Sequence, residues 1–150
     1  MRIGVISDTH GKVLPEVHKA FKGVSLILHA GDIGGDAVIC ELETIARVVA
    51  VRGNTDFDLH APLFPDTRRL TLEGVDIFLC HEPARAAGIT PRPDLIIHGH
   101  THYPRNEDVD GTRWFNPGTA GKPKTAGVYT VGILTLDKGT ITAEIVHLRD

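Results

Sequence analysis

Ile3-Gly4-Val5-Ile6-Ser7-Asp8-Thr9-His10 decides how this chain is read: a small or apolar run ends directly in a carboxylate and an imidazole. A short β-branched run without polar alternation predicts a strand buried on both faces, as in parallel sheets. The arrangement recurs four times. Leu26-Ile27-Leu28 leads to Gly31-Asp32, and Val48-Val49-Ala50-Val51 leads to Gly53-Asn54. Ile77-Phe78-Leu79 leads to His81, and Leu95-Ile96-Ile97 leads to Gly99-His100-Thr101-His102. In α/β sheets, ligands collect in the crevice beyond the carboxyl ends of the strands. Strand ends that each deliver an oxygen or nitrogen donor predict a metal centre.

Outward from these runs, the first half alternates strand and helix. Strands are expected at residues 2–7, 24–29 and 46–52, with helices at 13–22 and 36–43. In the first helix Leu14, Val17, His18 and Phe21 share a face. Helical connections favour parallel pairing. After residue 60 the pattern changes. Arg69-Leu70-Thr71-Leu72 and Val75-Asp76-Ile77-Phe78 flank Glu73-Gly74 and predict an antiparallel hairpin. Val131–Leu136 and Thr140–Ile145 flank Asp137-Lys138-Gly139, a three-residue loop whose glycine suits a left-handed position. Ile141, Ala143 and Ile145 alternate with Thr142 and Glu144, so one face of this strand is wet. The expected architecture is α/β: two packed mixed sheets with helices outside, in a single domain spanning residues 1–150.

Composition sets bounds on function. The 150 residues are 41% hydrophobic and 23% charged, with a net charge of -3. At this length about 68–70% of the unfolded surface is buried on folding. The mild acidity disfavours a nucleic-acid partner, and no apolar run is long enough to span a membrane. The apolar start is too short for a signal peptide. Cys40 and Cys80 form no Cys-x-x-Cys pair, and two reduced thiols fit a cytoplasmic protein.

The donors sort into two groups. Asp8 and His10, two residues apart on a strand-to-loop turn, can reach one ion. His100 and His102 share that spacing, and Gly99 lets them splay toward neighbouring ions. A carboxylate can bridge, so Asp8, His10, Asp32 and His102 are assigned to one ion. Asp32, Asn54, His81 and His100 are assigned to the other. Two ions about 3.5–4 Å apart form the clamp used for in-line displacement at phosphorus. The mixed imidazole and carboxylate set suits two divalent ions, with Mn²⁺ expected and Ni²⁺, Fe²⁺ or Zn²⁺ also compatible. Two dications against two carboxylates leave a positive site, which attracts a small phosphoester substrate without a basic patch.

These motifs, together with Gly53-Asn54-Thr55-Asp56, resemble the series of the calcineurin-like metallophosphoesterase superfamily. Asn116-Pro117-Gly118-Thr119 resembles a further motif of its small bacterial and archaeal phosphodiesterase branch. The match runs in order from residue 3 to about 121. The resemblance implies a four-layer αββα sandwich of two mixed β-sheets flanked by helices. It also implies the ligand division above, with Asp32 bridging. The activity expected is phosphodiester hydrolysis by a metal-bridging hydroxide, with Asn54 and His81 positioning the ester. Asp56 is the third candidate at the site, either orienting a ligand histidine or capping the following turn.

Two positions depart from the family pattern. Thr55 stands where many members have a histidine that assists the leaving group, and Glu82 follows His81 where glycine is frequent. Phosphomonoester hydrolysis is a close variant of the expected activity. A binding scaffold, as in the retromer subunit of similar outline, is the alternative, and a nuclease ranks last. The free edge of the C-terminal hairpin offers a route to a homo-oligomer. His18, His29, His60 and His147 are read as structural or surface histidines. His98 is read as a packed, hydrogen-bonded core residue, and Cys80 as core because it points away from His81.

Overall fold

β1 (Arg2–Ile6), β2 (Leu26–His29) and β3 (Arg47–Ala50) lie parallel in register, Ile3 opposite Leu26 and Leu26 opposite Arg47. This is a computed structural model, and it describes residues 1–56, 64–123 and 127–150. The connections are α1 (Pro15–Ala20) and α2 (Asp36–Glu43). α1 is shorter than the 13–22 expected, because Leu14 is extended and Pro15 opens the helix. β9 (Tyr129–Asp137) and β10 (Thr140–Arg149) extend this sheet antiparallel, giving the order β10-β9-β1-β2-β3.

The second sheet has the order β4-β5-β6-β8-β7. Its strands are β4 (Thr67–Leu72), β5 (Val75–Cys80), β6 (Leu95–Ile97), β7 (Arg105–Val109) and β8 (Thr112–Asn116). β5, β6 and β8 run parallel at its centre, with β4 and β7 antiparallel at the two edges.

The inner faces of the two sheets bury one apolar layer that includes Ile3, Val5, Leu28, Ile77, Leu95, Ile97 and Phe115. Each such side chain contributes roughly 1.5–3 kcal/mol when fully buried. A second layer packs α1 and α2 on the first sheet through Val17, Phe21, Val38 and Leu42. The outer face of the second sheet is covered more thinly. There Phe78, Cys80 and Ile96 meet Ala86 of a single 3-10 turn, Pro83–Ala86, together with Ile89 and Trp114. The two-sheet sandwich is as expected, with a fourth layer reduced to that turn among the described residues.

The C-terminal hairpin corrects one expectation. Thr140 pairs with Asp137, so the loop has two residues, Lys138 and Gly139, both with positive φ (48° and 85°). That is the primed turn whose twist matches the flanking strands. His18 also departs from its expected face: Val17 and Phe21 are buried, while His18 turns outward to pair with Glu41 at 2.9 Å. His147 lies on β10 and pairs with Asp150, and His60 falls outside the described residues. Cys40 is exposed and Cys80 buried, both unpaired. Burial pushes the Cys80 thiol up to about 12. Among the described residues no helix is long and apolar enough to cross a membrane.

Candidate metal centre

The six parallel strands of the two sheets end at one crevice, and the donors stand on the loops that follow them. Asp8 and His10 follow β1, Asp32 follows β2 and Asn54 follows β3; His81 follows β5, and His100 and His102 follow β6. Asp8, His10, Asp32, His100 and His102 all have positive φ, between 48° and 72°. Non-glycine residues rarely adopt this conformation, and its clustering here marks a functional site. The reversals let His100 and His102 both enter the crevice. Thr101 between them is held by Asn116, whose Nδ2 donates to Thr101 Oγ1 at 3.0 Å.

The donor atoms converge. Nε2 of His102 lies 3.1 Å from Asp8 Oδ1, and Nε2 of His10 lies 3.8 Å from it. On the other side, His81 Nε2 lies 3.3 Å from Asp32 Oδ2 and 3.9 Å from Asp8 Oδ1. Asp32 Oδ2 is also 3.8 Å from His10 Nε2. His100 Nδ1 meets Asn54 Oδ1 at 3.2 Å, and its ring stands edge-on to His81 with centroids 5.2 Å apart. Both carboxylates therefore lie between the His10 and His81 sides. Asp8 Oδ1 thus lies within 3.9 Å of a ring nitrogen on each side, as does the expected bridge Asp32, which stands closer to His81.

Hydrogen bonds fix which atoms remain for a ligand. Asp8 Oδ2 accepts from Ser7 Oγ at 2.6 Å and from the His100 N–H at 3.2 Å. Asp32 Oδ1 accepts from the Thr55 N–H at 3.1 Å. His81 Nδ1 lies 2.8 Å from the Ala30 carbonyl, which can only accept. The neutral ring therefore carries its proton on Nδ1 and turns a lone pair on Nε2 into the crevice. Asp8 Oδ1 and His81 Nε2 are buried and make no hydrogen bond. Buried polar atoms without partners are costly, and an anionic oxygen 3.9 Å from the His81 lone pair is the chemistry of a cation site. The donor set fits divalent cations.

Electrostatics agree. Burial raises the Asp32 carboxyl, but His81 and the Thr55 N–H and hydroxyl outweigh it and hold the group well below the usual carboxylate range. Burial pushes His81 down, yet Asp32, Asp8 and the Ala30 carbonyl together leave it above its ordinary value. Exposure grades across the site. Asp8, Asp32 and His81 are buried at its base, whereas the His10 side chain is 39% exposed at its mouth.

Asp56 takes neither of the two roles expected of it: its bonds go back to the Asp32 loop and to Gly53, and the turn that follows it lies outside the described residues. Its Oδ2 accepts from the N–H groups of Ile33 and Gly53, both at 2.9 Å, and its Oδ1 accepts from Gly34 at 3.1 Å. It is 1% exposed, and both oxygens are used by backbone. It ties the Asp32 loop to the Asn54 loop and is corrected from catalytic residue to loop anchor. His98 is buried as expected, with Nδ1 3.0 Å from the Gly99 carbonyl and its ring edge-on to Trp114. Thr119 supports the centre from below, donating to the Asp8 carbonyl at 3.3 Å.

The sequence profile of the calcineurin-like phosphoesterase superfamily domain matches residues 1–139. The chain belongs to this superfamily. It is 35% identical to a probable metallophosphoesterase of Methanothermobacter thermautotrophicus, covering 98% of this chain and 92% of that one. It is 30% identical to a phosphodiesterase of Methanocaldococcus jannaschii, covering 92% and 95%. Its backbone is similar to that of Vps29 from Chaetomium thermophilum, with a TM-score of 0.79 over 100% of this chain and 97% of that one; the 19% identity makes this a likeness of fold alone.

As a calcineurin-like phosphoesterase the chain is a metal-dependent enzyme acting on phosphoesters. Of the two departures from the superfamily pattern, Thr55 is exposed and supplies its N–H to Asp32. Glu82 is half-buried at the start of the 3-10 turn and makes no capping hydrogen bond.

Proposed function

We propose that this calcineurin-like phosphoesterase is a dinuclear phosphodiesterase acting on a small phosphoester. The observation that carries the reading is the pair of buried atoms without hydrogen bonds, Asp8 Oδ1 and His81 Nε2, set between two carboxylates and further imidazoles. Asp8, His10, Asp32 and His102 would hold one divalent ion, and Asp32, Asn54, His81 and His100 the other, with Mn²⁺ the expected metal. Bound ions would polarise the phosphoryl group and make water nucleophilic near neutral pH. The protein's own contribution is placement. Ser7 and the His100 N–H orient Asp8, Thr55 orients Asp32, and Ala30 sets the tautomer of His81. Asn54, at the more open side, and His81 would position the ester. The free thiols fit a cytoplasmic setting, and β10 at the end of its sheet offers an edge for a second copy.

The test is hydrolysis of bis-p-nitrophenyl phosphate by metal-stripped protein with Mn²⁺, Ni²⁺, Zn²⁺ or Mg²⁺ restored, beside Asp32→Asn. Turnover that needs metal, two ions bound per chain and loss in the variant support the proposal. Faster turnover of p-nitrophenyl phosphate would make it a phosphomonoesterase instead. Two ions bound without turnover of either ester would favour a scaffold.

A further inference from the structure

The sequence marks His29 only as a structural or surface histidine, and β2 ends on it. In the structure it is fully buried beneath the crevice, among groups whose proton positions can be worked out. Its Nδ1 lies 3.0 Å from the Gly31 N–H, which can only donate, so Nδ1 holds a lone pair. The Thr9 hydroxyl lies 2.7 Å from the Ile33 carbonyl, which can only accept, so the hydroxyl proton points there. His29 Nε2 is 3.0 Å from that same Thr9 oxygen. The oxygen's remaining capacity is as an acceptor, and Nε2 is therefore the nitrogen that carries the ring proton. One proton arrangement satisfies every group in the chain from Gly31 through His29 and Thr9 to Ile33.

The groups joined are neighbours of the donors. Thr9 lies between Asp8 and His10, and Gly31 and Ile33 flank Asp32. The two loops already run side by side, with Asp8 N–H on the Gly31 carbonyl, His10 N–H on the Asp32 carbonyl and Gly11 N–H on the Ile33 carbonyl. These bonds set the spacing of the backbones. They leave the left-handed turns at Asp8, His10 and Asp32 to be held from inside. An apolar ring at position 29 could fill the volume, but would leave the Gly31 N–H and a lone pair of Thr9 without partners.

We infer that His29 is a positioning residue for the metal centre, bracing the Asp8–His10 loop against the Asp32 loop so that their donors stay at ligating distance. The inference rests on the dinuclear reading above. Removing the brace leaves every donor in place chemically and weakens their arrangement. The effect therefore falls on ion affinity, in the range of about 10–100-fold typical of groups that support metal ligands.

Three variants at position 29 separate the two arms. His29→Asn keeps an acceptor for Gly31 and loses the donor to Thr9. His29→Gln keeps the donor and loses the acceptor, and His29→Phe loses both. Thr9→Val and Thr9→Ser test the same brace from the other side, the serine restoring the hydroxyl. The readouts are Mn²⁺ binding to metal-stripped protein by calorimetry and thermal melting without metal. His29→Phe and Thr9→Val are expected to bind Mn²⁺ about 10–100-fold more weakly, with Thr9→Ser close to wild type. Should His29→Phe fail to fold, the Thr9 pair decides. Wild-type affinity in Thr9→Val, with only a lower melting temperature, would overturn the positioning role. Absence of Mn²⁺ binding by the wild-type protein would instead overturn the metal-centre reading beneath it.

Discussion

His81 donates its Nδ1–H to the carbonyl of Ala30 at 2.8 Å, and that bond commits its Nε2 to the crevice, 3.3 Å from Asp32 Oδ2. Without a cation, this nitrogen takes a proton, and the carboxylates more than offset burial, so it does so above its ordinary value of 6.5. A metal must displace that proton. Mn²⁺ affinity is therefore expected to be independent of pH well above the raised value and to fall as pH drops through it. The limiting slope is about tenfold per pH unit for each proton displaced. Calorimetry in buffers of different ionisation enthalpy measures the proton released on binding. No release near neutral pH would contradict the arrangement.

Acid stability should report on His29. Burial, the largest effect, and the charge on His81 push its folded value down to about 3, against 6.5 in the unfolded chain. The unfolded chain thus takes the proton first. Above 6.5 the contribution of neutral His29 is fully present, and below it stability falls as pH falls toward 3, at up to about 1.4 kcal/mol per pH unit. The raised value of His81 works in the opposite direction, so the comparison must be between variants. Melting of metal-free His29→Asn should depend less on acid than that of wild type. Parallel curves for the two would show that His29 is not held neutral.

Gly53 sits where a side chain would strike the centre. A Cβ there would lie 2.1 Å from Asp32 Oδ1 and 2.3 Å from the Asp32 nitrogen. Gly53→Ala is expected to destabilise the fold by about 1–3 kcal/mol and to weaken Mn²⁺ binding by moving the carboxylate. Urea melts and metal titration check the two effects separately. Unchanged affinity would mean that Asp32 does not hold an ion.

Thr55 predicts a dependence on the leaving group. It offers Asp32 a backbone N–H and brings no acid that titrates near neutral pH to the departing oxygen. Hydrolysis should accelerate steeply as the leaving group becomes more acidic, aryl esters far ahead of alkyl esters. Thr55→His is expected to flatten that dependence. Equal rates for aryl and alkyl diesters in the wild-type protein would refute this.

What could be read in advance follows from where each signal resides. Strands β1, β2, β5 and β6 are buried on both faces, so their apolar runs are continuous and end visibly at the donors. β7, Arg105–Val109, is an edge strand with mostly exposed side chains and leaves no such trace. The candidate donors Asp8, His10, Asp32, His81, His100 and His102 stand out in the sequence because each follows the end of a strand. Asp56 was misassigned because its partners, the N–H groups of Ile33, Gly34 and Gly53, are backbone and leave no mark on composition. His29 was passed over for a related reason. Its partner Thr9 is twenty positions away, and only the pairing of β1 with β2 brings them together.

The left-handed backbone at Asp8, His10, Asp32, His100 and His102 has an evolutionary consequence. An L-residue in that conformation costs of order 1–2 kcal/mol, a strain glycine does not bear. Substituting glycine at these five positions would relieve strain while deleting a candidate ligand. Selection for folding alone therefore holds His10, His100 and His102 least, because the Asp8 and Asp32 carboxylates also accept from Ser7, the His100 N–H and the Thr55 N–H. A descendant released from hydrolysis could lose its metal donors by ordinary drift, keep both sheets, and offer the emptied crevice to some other use.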